Sequence, residues 1–147
     1  MYIWKTENLA TDIKNNAVGQ SEWKKYYLAG SLFMTVAMYL VALAPRENIT
    51  ATLVEAVVVV GILIFGVSVT YQSNKGDAGV DYVARMIALT FPIMIKLILA
   101  SFILGVIAGF LGEILSLSEE VFTAASGPII QAIFFWRINF YIKYINS

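Results

Sequence analysis

Few residues in this sequence have the type and spacing to do chemistry, and two of them stand in awkward surroundings. Lys96 and Glu55 each interrupt a long apolar run. A charge embedded in apolar sequence is expensive to keep. It is retained where it lines an ion path, relays a proton or pairs with an opposite charge. Arg85 and Gln131 are the next candidates, one at the start and one in the interior of further apolar runs. A pore lined by Lys96 and Arg85 would favour anions. Other chemistry is removed at once, because the chain contains neither Cys nor His. There is no thiol nucleophile, disulfide or Cys metal site, and the usual neutral-pH proton shuttle is missing. No phosphate-binding loop or dinucleotide fingerprint occurs. The expectation is a non-enzymatic protein without metal or cofactor.

The elements that must position these residues follow from composition. Of 147 residues, 59% are hydrophobic and 14% charged, against roughly 45–50% and 25% in ordinary soluble domains. Mean hydropathy is +0.76. A disordered tail, a nucleic-acid-binding domain and a charged coiled coil are excluded. A membrane span needs about 20 mostly apolar residues. Four runs qualify, over 26–44, 49–70, 86–112 and 121–140. Strict alternation of apolar and polar residues is absent, so the runs read as helices rather than barrel strands. The expected fold is an all-α integral membrane protein with four transmembrane helices in a bundle.

Residues 1–25 are polar and lack the apolar core of a signal peptide. Tyr2, Ile3, Trp4, Leu9, Ile13 and Trp23 fit a weak amphipathic helix on the membrane surface; a polar leader is the alternative. Orientation follows from the cations. Lys5, Lys14, Lys24, Lys25, Lys75, Arg85, Arg137 and Lys143 fall on one side, Arg46 alone on the other, and Lys96 inside a span. Both termini are therefore expected in the cytoplasm, with the chain in a bacterial inner membrane. Pro45-Arg46-Glu47-Asn48 reads as a tight external turn between antiparallel spans. Ser118 before Glu119 and Glu120 reads as a helix cap with an acidic first turn. Trp136, Phe140, Tyr141 and Tyr144 form an aromatic belt at the cytoplasmic end of the last span.

The depth of Lys96 has two solutions. If hydrocarbon begins near Met86, Lys96 lies about 15 Å deep and within reach of a buried pair with Glu55. If it begins near Pro92, Lys96 is about 6 Å deep, snorkels to the interface and cannot meet Glu55. In the second case residues 78–91 are an interfacial approach to the span.

Span three also carries Ser101, Gly105, Gly109 and Glu113 at intervals of four, including the GxxxG of Gly105-Val-Ile-Ala-Gly109. Small residues at this spacing let helices approach closely. The stripe lies roughly opposite Lys96 on a helical wheel, so two faces of the span avoid lipid and a homo-oligomer is expected. Pro92 and Pro128 are candidate kinks or gates. Ser31, Thr35 and Tyr39 form a mild polar stripe suited to bonding between helices. Gln131 shares a face with Gly127 and suits the same role. Trp136, Arg137, Tyr141 and Lys143 suit anchoring to lipid phosphates or contact with a cytosolic partner.

Asp77, Asp81, Ala84 and Arg85 resemble part of the motif of the CDP-alcohol phosphotransferases. That family needs further aspartates downstream to hold its metals, and none follows here. The Asp81–Arg85 spacing then reads as an ion pair at a helix start. Three functions stay open: a small oligomeric pore-forming, gating or membrane-perturbing protein; a membrane anchor or sensor subunit for a cytosolic partner; and a small proton-coupled exporter using Glu55. The layout of the second is similar to small multi-span components of bacterial antiphage or toxin systems. The third resembles tiny dimeric exporters, which have four spans and an intramembrane Glu, although they place it in the first span. The bilayer and the chain itself are the expected partners, and nucleic acid is not.

Overall fold

Residues 1–43, 49–115 and 119–147 are described in a computed structural model, with side chains at 38–43, 51, 108, 110–115 and 119–125 left outside that description. The turn expected at 45–48, the cap at Ser118 and the side chain of Glu113 therefore lie outside the described residues.

All regular structure among the described residues is helical. The order is α1 (Thr6–Lys14), α2 (Gln20–Leu43), α3 (Ile49–Ser73), a single 3-10 turn at Gly76–Ala78, α4 (Tyr82–Leu115) and α5 (Glu119–Asn146). Thr52–Ser73 and Tyr82–Ile107 are each long and apolar enough to cross a bilayer. That architecture fits an α-helical membrane protein.

The helices lie side by side as α2, α4, α5, α3, with α1 laid across α4 and α5. Glu55 meets Gly127 and Gly66 meets Phe135, so α3 and α5 run parallel. Arg85 reaches Asn146, while Lys96 and Arg137 line one groove, so α4 and α5 run antiparallel. Among the described residues, close packing is concentrated at the end of the molecule that holds both termini, here termed the base. Leu9, Ile13, Ala88, Leu89, Ile138 and Ile142 are buried there. Away from the base the same helices turn bare apolar side chains outward: Val57 is 74% exposed, Phe65 72% and Phe102 71%. A continuous apolar surface of this kind is stable when hydrocarbon covers it.

The leader is part of the base. Thr6, Leu9, Ala10 and Ile13 repeat at helical spacing and form the buried stripe of α1. Glu7 in its first turn and Lys14 in its last favour the helix dipole. Leu9 and Ile13 of this amphipathic helix face α4 and α5, while Ile3 and Trp4 stay exposed ahead of it. Asn16, in the left-handed region at φ 53°, reverses the chain into α2. That helix begins at Gln20, six residues before the run expected at 26, because the extra turns pack against the N-terminal strap. The Met1 amino group pairs with Glu22 at 2.7 Å, and the Tyr2 amide donates to the Tyr26 hydroxyl at 2.6 Å. A hydrogen bond to the Asp12 carboxylate holds the Tyr2 hydroxyl above its ordinary pKa.

Both internal prolines are accommodated without ending a helix. α4 runs through Pro92, which is buried, and α5 runs through Pro128, which is half-buried. Ser31 and Thr35 are exposed, and Thr35 donates to the Ser31 carbonyl of its own helix at 2.9 Å rather than across to a neighbour.

Candidate functional site

Two polar constellations are built where the helices converge on the base. The first is a clasp of amides around Arg85. Its Nη1 donates to Asn74 Oδ1 at 2.8 Å and to Asn146 Oδ1 at 2.9 Å. Asn146 Nδ2 donates in turn to the Ser73 carbonyl at 3.1 Å. One guanidinium thus joins the end of α3, the start of α4 and the end of α5. Asn74 is fully buried, and Gly79 lies so close that a Cβ there would meet the Asn74 carbonyl oxygen at 1.7 Å. Lys75 and Gly76, both left-handed at φ 68° and 54°, fold the chain back so that this approach occurs. Thr70 and Tyr82 extend the seam with a hydroxyl–hydroxyl bond of 2.8 Å. Asp77 accepts from Tyr71. The expected Asp81–Arg85 ion pair does not form. Arg85 is drawn to the amides of buried Asn74 and half-buried Asn146, and the only salt bridge among the described residues is Met1–Glu22.

The second constellation is a groove of about 400 Å³ where the first turn of α1 crosses α4 and α5. Trp4, Lys5 and Glu7 stand on one wall, Lys96, Arg137 and Tyr141 on the other. Lys96 Nζ donates to Thr6 Oγ1 at 2.7 Å. Arg137 Nη2 donates to the Tyr141 hydroxyl at 3.1 Å. The guanidinium carbon lies 5.3, 5.7 and 5.9 Å from the rings of Tyr141, Phe140 and Trp136, within cation–π range. Tyr141 departs from the expected belt: it is buried at 2% exposure, because its ring lies under α1. Trp136, Phe140 and Tyr144 do point outward, as does Lys143.

Lys96 and Glu55 are not brought together. Glu55 Oε1 sits where a Cβ on Gly127 would come within 2.0 Å, whereas Lys96 shares its groove with Arg137. Ten residues of α5 separate those two levels, about 15 Å along the axis. The pair with Glu55 that a deep Lys96 would allow is not formed. Above Lys96, its face continues as exposed Ala100, Ile103 and Ile107.

The small stripe of α4 is open. Among the described residues, a Cβ on Gly105 or Gly109 would meet nothing within 4 Å, and the Ser101 hydroxyl donates back to the Leu97 carbonyl of its own helix. The glycines that do permit close helix approach are others. Gly66 lies against the face of the Phe135 ring, and Gly127 against Glu55. Gly66, Thr70 and Asn74 at intervals of four were the available signal for that seam. Gln131 is half-buried on α5.

No protein-family model, curated protein or solved structure matches the chain.

Proposed function

We propose that the chain is a non-enzymatic integral membrane protein with four spans and both termini in the cytoplasm. It self-associates through the Ser101/Gly105/Gly109 face of α4 and acts as a small pore-forming or gating component. The observation that carries this reading is the open stripe. Small residues facing lipid gain nothing, whereas against a second helix they allow backbone-to-backbone packing. The Lys96 face supplies no second reason for assembly, since α1 covers its lower part and plain apolar residues its upper part. Arg85 and Lys96 are engaged by Asn74, Asn146 and Thr6. A conducting path therefore draws on the interface between protomers and on Glu55 beside Gly127, rather than on the two cations.

Native mass spectrometry of the gently extracted complex tests this. A homo-oligomer of the chain is expected, and Gly105→Leu with Gly109→Leu should shift it to monomer while abolishing ion flux into vesicles. A monomeric wild-type chain would overturn the reading. A stoichiometric soluble protein in the complex would favour the anchor function instead. The exposed polar face of α1, with Lys5, Glu7, Asn8 and Lys14, would then be the natural contact.

A further inference from the structure

Lys96 and Arg137 line the same groove, and neither has a carboxylate within ion-pair distance among the described residues. Two cations held on one wall repel each other, and the repulsion grows as water is excluded. Their present partners, a Thr hydroxyl and a Tyr hydroxyl, are neutral and leave several donors of each cation unused. Glu7, the nearest acid lining the groove, stays outside pairing distance. The groove therefore lacks the anion that its charge calls for.

Its surroundings say which anion. Trp4 at 62% exposure and Trp136 at 64% flank the two cations. Immediately beyond Lys96, α4 turns out the bare apolar side chains Leu99, Phe102 and Ile103. Exposed Trp beside cations at the edge of an apolar zone is the pattern of the headgroup layer. A fork of guanidinium donors beside an ammonium suits a phosphate.

We propose that Lys96 and Arg137 form a binding site for the phosphate of an anionic glycerophospholipid. The acyl chains lie along the exposed face of α4, and the headgroup contacts the first turn of α1. The bound lipid would bridge the leader to α4 and α5. This inference rests on the membrane reading and is independent of self-association.

The test uses the full chain purified in a neutral maltoside detergent and titrated with dioleoyl phosphatidylglycerol or phosphatidylcholine, with bound lipid counted by native mass spectrometry. Phosphatidylglycerol should bind more tightly than phosphatidylcholine. Each of Lys96→Gln and Arg137→Gln should weaken it about fivefold and the double variant about twenty-five-fold. Lys96→Arg should restore most of the affinity, and Glu7→Gln, which removes the one competing acid, should tighten binding. These two variants keep both cations and decide the matter even if a cation-deleting variant fails to fold. Equal affinity for the two lipids, or unchanged phosphatidylglycerol binding in the double variant, overturns the proposal. Full displacement of the lipid by millimolar inorganic phosphate overturns the lipid source and assigns the groove to a soluble phosphate. Because the lipid count is read on each oligomeric species separately, a monomeric chain that binds lipid normally would refute self-association alone.

Discussion

Arg85→Met is expected to loosen the base as a unit. Methionine keeps most of the aliphatic bulk but removes the donor shared by Asn74 and Asn146. Asn74 is fully buried, so its amide oxygen would lose its charged partner and keep only the weaker contact from Asn146 at 3.3 Å. A hydrogen bond from a charged donor contributes roughly 1.5–3 kcal/mol, and a buried acceptor left short adds its own desolvation. The expected loss is about 3 kcal/mol. It should appear as a lower thermal midpoint in detergent, followed through Trp4, Trp23 and Trp136. Arg85→Lys should recover only part of it, since a flexible, strongly hydrated ammonium is costlier to hold against the two amides than the planar guanidinium. A midpoint unchanged in Arg85→Met would mean that the three helix ends are held by apolar packing alone.

Gly66→Leu is the second large effect, and it acts at a different place. A Cβ at Gly66 would stand 2.2 Å from the Phe135 ring, so the ring or the helix must move. Phe135 is itself buried and packs edge-on against Phe134. Overfilling a packed seam costs roughly 1–3 kcal/mol, and a leucine falls at the upper end. The expected destabilisation is about 3 kcal/mol. Phe135→Ala should cost a comparable amount alone, while Gly66→Leu with Phe135→Ala should cost clearly less than the sum, because each change vacates the space that the other fills. Strict additivity in that double-mutant cycle would show that α3 and α5 do not meet there.

These two sites mark where sequence reasoning was informative and where it stopped. The apolar runs were legible because hydrocarbon demands length and composition, which are local properties. Helix α1 was legible in part: Leu9 and Ile13 keep helical phase, yet phase alone does not tell a lipid surface from a protein one. The Gly66 seam was not found. α3 is apolar all round, and a helix with no polar face gives no contrast to say which side packs. The spacing of Gly66, Thr70 and Asn74 is the remaining clue, a weaker small-residue pattern than the GxxxG of α4. Arg85 was singled out for its charge, but its partners Asn74 and Asn146 lie 11 and 61 residues away. No local pattern links them. The partner of Lys96 was not legible from its own run, because Thr6 lies 90 residues earlier.

The docking of α1 also sets an order of events in synthesis. Its stripe is made well before half of the surface that receives it, Ile138 to Ile145; Thr11 and Tyr144, which bond at 3.2 Å, are 133 residues apart. At 5–20 residues per second, the leader waits roughly 7 to 30 seconds with Leu9 and Ile13 uncovered. During that interval the nascent chain carries an uncovered short amphipathic segment and no closed base. A chain that stops before α5 never hides it. Docking of α1 thus reports that its receiving helix is in place: α1 is fully sheltered only in a molecule whose α5 has been built.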